Sequence, residues 1–312
     1  MHIVFCCTGD DPLPWEQSLR EAIPDLEFSV WQPGAPAVAD YALVWKPPQR
    51  FIDEQPQLKG LFNVAAGVDA LMHLRLPAHL PIVRLEDAGM AVQMAEYVCH
   101  AVSRHFRGFE TLETQQRQGL WQLPPEPDRR SYPVGVMGMG VLGRRVVQAL
   151  RAFEFTVHAW TRTAPVNPPS GVQCHVGAAG LPGFLAHSRA LVCLLPLTPD
   201  TENILNRQTL SQLPRGAYVV NVARGAHVVD GDLVALLDEG HLDGATLDVF
   251  RTEPLPSGHP FWQHPRIRLT PHTSARTLCG DSVQQIVGKI AQAAAGTPWS
   301  QIGGLVHADR GY

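Results

Sequence analysis

The ten residues Val134-Gly135-Val136-Met137-Gly138-Met139-Gly140-Val141-Leu142-Gly143 decide the fold. A short apolar run ends in a G-x-G-x-x-G. An amphipathic stretch follows, with Leu142, Val146, Val147 and Leu150 on one face. Strand, glycine turn and helix in that order are the context in which this motif holds a dinucleotide pyrophosphate. Gly138 permits the tight turn, Gly140 lets the backbone approach the phosphates, and Gly143 allows close packing of helix on strand. The start of the helix adds unpaired N–H groups and partial positive charge. Met139, Val141 and Leu142 join the three glycines as expected cofactor-binding residues.

Outward from this loop, short apolar runs alternate with amphipathic stretches. That alternation reads as an α/β fold with parallel sheets. Downstream, strands are expected at 155–160, 190–195, 217–222, 244–250 and 267–270, with helices at 141–152 and 230–239. Asp230 is placed as the N-cap of the latter and Gly240 just past its end. With 134–137 this makes six strands, a Rossmann-type doubly wound sheet. Upstream, strands are expected at 2–7, 26–31, 40–45, 60–64 and 81–85, forming a smaller, flavodoxin-like α/β domain with a helix at 15–22. Residues 90–118 read as one long helix, 119–133 as a proline-stiffened loop, and 281–295 as a helix returning to the first domain. The expected division is 1–97 with 285–312 as a substrate domain, and 98–284 as the dinucleotide domain.

Composition narrows the partners. At 45% hydrophobic and 17% charged, the 312-residue chain can bury real cores. The net charge of −4 is scattered and no basic run appears, which argues against nucleic acid. No stretch approaches the roughly 20 apolar residues of a bilayer span. MHIVFCC, followed at once by Asp10 and Asp11, reads as a buried strand rather than a signal peptide. The six cysteines show no C-x-x-C spacing, so reduced core thiols in a cytoplasmic protein are expected, with no metal.

The strand after the glycine loop ends in Trp160-Thr161-Arg162-Thr163. An NAD site usually places Asp or Glu there for the ribose 2′-hydroxyl. No carboxylate stands here to repel a 2′-phosphate. Arg162 can pair with one and Thr161 and Thr163 can donate to it, which favours NADP, with NADPH preferred over NADH. In an open α/β sheet ligands gather beyond the carboxyl ends of the strands. Three chemically useful residues fall there: Arg224 in NVARG, Glu253 in DVFRTEP and His272 in PHT.

The combination of GMGVLG, NVARG, DVFRTEP and PHTSA, in that order and spacing, resembles the D-isomer-specific 2-hydroxyacid dehydrogenases along nearly the whole chain. DYALVWKPP, RLEDAGM, QMAEY and the ending DRGY resemble the bacterial glyoxylate/hydroxypyruvate reductase branch of that family. The resemblance implies an NADP-dependent oxidoreductase acting on small 2-oxo and 2-hydroxy acids. It implies His272 as proton donor, Glu253 as the group that orients it, and Arg224 as the fork that binds substrate carboxylate and carbonyl. Asp248 is expected either beside the nicotinamide carboxamide or as the cap of a turn. Ala66, Gly67 and Val68 match the family's carboxylate-binding loop, and Leu195, Pro196 and Thr201 the loop beneath the cofactor. Val222 and Ala223 join the cofactor set. Trp45 either narrows the substrate pocket or is a buried structural ring. A homodimer packing through the 90–118 helix and the arm bearing Trp121 is expected. Thr273 after Pro271-His272 departs from the commoner family pattern.

Overall fold

Parallel strands and the helices that cover them build two separate units in the computed structural model, which describes residues 1–36, 38–165 and 167–307. One unit comprises Met1–Met90 with the segment from Thr277 onward, the other Ala91–Arg276. The chain thus changes unit after Met90 and after Arg276, where the sequence reading placed the crossings at 97/98 and 284/285. The terminal DRGY lies outside the described residues.

The first unit holds β1 (His2–Cys7), β2 (Glu27–Val30), β3 (Tyr41–Trp45), β4 (Gly60–Asn63) and β5 (Ile82–Arg84) in the order β2-β1-β3-β4-β5. Every pairing is parallel. This is the flavodoxin-like order. Its helices are α1 (Pro12–Ala22), α2 (Gln49–Glu54) and α3 (Asp69–Met72). α1 starts three residues before the expected 15, because Asp11 Oδ1 accepts from Leu13 N at 3.0 Å and two prolines fit its first turn.

In the second unit, α4 (Met90–Phe106) and α5 (Phe109–Arg117) replace the single helix expected over 90–118. Gly108 breaks it by taking φ 62°, a left-handed conformation that ends one helix and caps the next. The strands are β6 (Val134–Met137), β7 (Val157–Thr161), β8 (Gln173–Val176), β9 (Ala190–Cys193), β10 (Ala217–Asn221), β11 (Leu242–Leu247) and β12 (Ile267–Leu269). They run β12-β11-β10-β9-β6-β7-β8, all parallel, with the order reversing between β6 and β9. The sheet has seven strands where six were expected. β8 is a half-exposed edge strand, QCHV, without the apolar run that reveals its neighbours. α6 (Val141–Ala152), α7 (Gly177–Ala186), α8 (Arg207–Leu210) and α9 (Asp230–Asp238) complete the unit. Asp230 is the first helical residue of α9, with Val229 in the cap position, so it is not the N-cap. α10 (Cys279–Ala294) packs on α1 in the first unit, the domain to which a helix at 281–295 was expected to return.

Strand alternation sorts the second unit's core onto two faces. Val134, Val136, Val192 and Val220 meet Val146, Val147 and Leu150 of α6 and Val98 and Val102 of α4. Met137, Leu191, Cys193 and Val219 meet Phe184, Leu185, Leu233 and Leu236 on the other side. Both faces are covered, so the middle strands are rigid and their carboxyl ends are fixed in space. No helix among the described residues is long and apolar enough to cross a membrane.

Candidate active site

The glycine loop sits where the strand order reverses. Gly138 takes φ 101°, and a Cβ there would lie 2.8 Å from the Leu194 carbonyl oxygen. A Cβ on Gly143 would overlap the Gly138 carbonyl, so any side chain would pry α6 off β6. A Cβ on Gly140 would meet nothing within 4 Å, leaving open space in front of the α6 N-terminus. Two glycines are therefore demanded by packing and the third faces the void that a pyrophosphate needs. Met139 is buried beside them, and Val141 is exposed on the first turn of α6. Leu142 packs at the edge of the core.

At the end of β7 the Trp160 indole donates to the Gly177 carbonyl at 2.9 Å and props the Thr161–Thr163 turn. The Thr161 hydroxyl is buried without a hydrogen-bond partner, while Arg162 and Thr163 are exposed. A buried hydroxyl left unmatched is costly and marks a position where a ligand acceptor fits. The residues present, a glycine cradle and a carboxylate-free turn with an orphan hydroxyl, fit an NADP-type dinucleotide.

Three neighbouring strands deliver the reactive groups. After β12, His272 Nδ1 lies 2.9 Å from Glu253 Oε2, and Glu253 Oε1 accepts from Phe250 N at 3.0 Å. Both carboxylate oxygens are thus directed, and the ring's edge is set. No described residue bonds His272 Nε2, and the side chain is 38% exposed, so that nitrogen is available. His272 has φ 53°, a left-handed conformation unusual for a residue with a Cβ. Such strain persists only where the surroundings over-determine it, and it concentrates at functional sites.

Asp248 supplies that constraint. It is wholly buried. Its carbonyl accepts from His272 N at 2.8 Å, Oδ1 from Thr270 Oγ1 at 2.6 Å and Thr273 N at 2.8 Å, and Oδ2 from Ser274 N at 2.9 Å. The side chain therefore caps the histidine turn. This geometry matches the expected turn cap, and it engages both carboxylate oxygens.

Arg224 follows β10 on the next strand over. Its Nη1 donates to the Ala223 carbonyl at 2.8 Å, and Asn221 Nδ2 donates to the Arg224 carbonyl at 2.9 Å. A Cβ on the following Gly225 would overlap the Phe250 carbonyl carbon and the Arg251 nitrogen. The arginine turn and the glutamate turn thus touch backbone to backbone, which only glycine permits. Buried His227 holds its Nδ1 3.2 Å from Arg224 N and 3.0 Å from the Arg224 carbonyl, and its Nε2 lies 3.3 Å from the Pro196 carbonyl. One imidazole thereby joins the arginine turn to the Leu195–Pro196 loop. Val222 and Ala223 are buried beneath it. In the loop expected beneath the cofactor, the Thr201 hydroxyl accepts from Thr198 N at 2.8 Å and donates to the Pro196 carbonyl at 2.7 Å, shaping that loop.

Gly225, His227, Thr270 and Tyr97 were not singled out from the sequence. Only Gly225 had a signal, as a glycine directly after a strand-end arginine.

The remaining candidates belong to the first unit. Trp45 ends β3, half-buried, with Lys46 over its ring at 5.4 Å. Beside it, Asn63 Nδ2 donates to the Ala65 and Gly67 carbonyls at 2.8 and 2.9 Å. In a trans peptide the next N–H points opposite its carbonyl. The Ala66 and Val68 N–H groups therefore face away from buried Asn63, and no described residue accepts from them. Two N–H groups are thus left facing away from Asn63 on either side of Gly67.

Among the described residues no cluster of His, Cys, Asp or Glu could hold a metal ion. The model of the D-isomer-specific 2-hydroxyacid dehydrogenase NAD-binding domain matches residues 99–274. A glyoxylate/hydroxypyruvate reductase A from Yersinia enterocolitica is 43% identical over the whole of both chains. A D-isomer-specific 2-hydroxyacid dehydrogenase from Xanthobacter autotrophicus, solved with NADPH and MES, is 39% identical with a TM-score of 0.93, covering 100% of this chain and 99% of that one. An NADPH-dependent glyoxylate/hydroxypyruvate reductase from Sinorhizobium meliloti, solved with NADP and sulfate, is 32% identical with a TM-score of 0.92 over 100% and 99% of the two chains. The chain belongs to the D-isomer-specific 2-hydroxyacid dehydrogenase family.

Proposed function

We propose that this chain reduces small 2-oxo acids with NADPH, turning glyoxylate into glycolate and hydroxypyruvate into D-glycerate. The observation that carries the proposal is the 2.9 Å contact between Glu253 and His272 Nδ1, which leaves Nε2 open at the carboxyl ends of the strands that also bear the glycine loop and Arg224. The names of the relatives and the cofactors bound in the solved structures point the same way.

When bound, the dinucleotide supplies the hydride to the substrate C2. His272 Nε2 delivers the proton to the carbonyl oxygen, so hydride and proton together make the alcohol. Glu253 fixes the ring through Nδ1 and balances its positive charge before transfer. Arg224 offers a planar fork to the substrate carboxylate and carbonyl oxygen, drawing electron density off C2 as negative charge builds on oxygen. In the first unit, the Ala66 and Val68 N–H groups with Gly67 between them hold a carboxylate, and Trp45 limits the size of the acid. Met139, Val141, Leu142, Leu195, Pro196, Val222 and Ala223 line the cofactor path alongside the three glycines.

Thr161, Arg162 and Thr163 take the 2′-phosphate. The test is NADPH and NADH oxidation with glyoxylate and hydroxypyruvate, in wild type and in Thr161→Asp. Wild type should favour NADPH, and the added carboxylate should shift preference toward NADH by repelling the phosphate. A wild type that prefers NADH overturns the cofactor reading, and one without turnover on either acid overturns the substrate reading.

The division 1–97 with 285–312 and 98–284 is retained as the functional partition into substrate and dinucleotide domains. Six unpaired cysteines support a reducing, cytoplasmic setting. A homodimer is supported by α5, which buries none of its residues, and by Trp121 and Leu123, 98% and 93% exposed on the arm beyond it. Light scattering returning a monomer mass would remove that assignment.

A further inference from the structure

The restraints on His272 extend past Asp248. Tyr97 Oη lies 2.5 Å from Thr270 Oγ1. Thr270 gives its single hydroxyl proton to Asp248 Oδ1 at 2.6 Å, so Tyr97 must be the donor of the other bond. The order is Tyr97 to Thr270 to Asp248, and from Asp248 by three backbone bonds to His272, Thr273 and Ser274. Tyr97 stands on α4, whose start is clamped by Gln93. That side chain donates to the Arg276 carbonyl at 3.0 Å and accepts from Arg276 N at 3.1 Å. Clamp and phenol together grip the segment 270–276 from one helix, at both ends of the histidine turn.

We propose that Tyr97 is a positioning residue for the reduction, aiming His272 Nε2 by holding the left-handed turn through Thr270 and Asp248. The need for such a device is visible in the backbone. At φ 53° the histidine is in a sparsely populated state that relaxes once its restraints loosen. Glu253 alone fixes one ring nitrogen and leaves the ring free to pivot about that contact. Holding Cα as well as Nδ1 removes the pivot. Burial pushes the Tyr97 phenol up to about 12, so it remains a hydrogen-bond donor across the pH range of activity.

The proposal rests on the reductase reading, and the experiment separates the two. Wild type, Tyr97→Phe, Thr270→Val, Thr270→Ser and the Tyr97→Phe/Thr270→Val double variant are assayed for NADPH oxidation with glyoxylate. NADPH dissociation constants are measured by fluorescence, along with the solvent deuterium isotope effect on kcat. Tyr97→Phe keeps the ring and removes one hydrogen bond, so kcat should fall about fivefold. NADPH affinity should hold, and the isotope effect should grow as proton delivery becomes limiting. Thr270→Ser should recover most of what Thr270→Val loses, and the double variant should be no worse than Thr270→Val. Unchanged kcat and isotope effect in Tyr97→Phe, with an active wild type, overturn the positioning role alone. So do losses that multiply in the double variant. A wild type inactive on every 2-oxo acid removes the reductase reading and this role with it.

Discussion

Two imidazole–carboxylate pairs occupy opposite ends of the same seven-stranded sheet. His272 Nδ1 lies 2.9 Å from Glu253 at the carboxyl ends, and His105 Nε2 lies 2.9 Å from Asp243 at the amino ends. By distance they are indistinguishable. They differ in what the second ring nitrogen does. His105 Nδ1 is 2.5 Å from the Tyr132 hydroxyl, its ring stacks on Tyr218 at 4.1 Å, and its side chain is 12% exposed. His272 keeps Nε2 unmatched, and its side chain is three times as exposed. A histidine–carboxylate pair is therefore a reactive group only when one nitrogen is left over and lies where substrates gather. With both nitrogens matched it is a rivet, here fastening the end of α4 to the amino end of β11.

The widest gap between the two pairs should appear in kcat. His272→Ala removes the proposed proton donor and should lower kcat by about 10²- to 10⁴-fold, with NADPH binding intact. His105→Ala should leave kcat within about twofold and lower stability by about 1–3 kcal/mol, through a lost ring contact and two unmatched partners. Steady-state kinetics and thermal unfolding on both variants decide this. Equal kcat losses would erase the distinction. A smaller effect sharpens the role of the catalytic end. Arg224→Lys keeps the charge but replaces a fork with a point, and kcat/KM should drop about tenfold to a hundredfold. Wild-type kcat/KM in that variant would remove the arginine from substrate binding.

The same contrast explains what was legible in the sequence. β6, β9 and β10 are apolar runs buried on both faces, and the residues at the carboxyl ends of β10, β11 and β12 were placed from strand order alone. β8 was missed because an edge strand buries too little to leave a pattern. The break at Gly108 was missed because the apolar stripe continues across it, and only φ distinguishes a kink from a tolerated glycine. Asp248 could not be assigned between cofactor and turn, because the deciding partners, Thr270, Thr273 and Ser274, come from the neighbouring strand's end. His227 was one of 14 histidines with no local mark. Positions at strand ends can be read from the strand pattern, and the roles proposed for them came from the resemblance. Residues that hold them there depend on contacts between segments far apart in sequence.

The finest discrimination between the pairs is a dependence on pH. The hydrogen bond from His105 is the main cause holding the Asp243 carboxyl below the usual carboxylate range, with burial opposing it. In the unfolded chain an Asp titrates near about 3.9. As pH falls the unfolded chain takes up this proton first, so the pair's contribution is complete above about pH 4 and is lost as pH drops through the lower folded value. Asp243→Asn cannot titrate. The difference in Tm between wild type and Asp243→Asn should be level from pH 7 to about pH 5 and should narrow below about pH 4, with kcat alike in both proteins at pH 7. A Tm difference that stays constant down to the acid limit of folding would mean that the carboxylate's charge contributes nothing to the rivet. The ring's packing against Tyr218 and its bond to Tyr132 would then account for all of it.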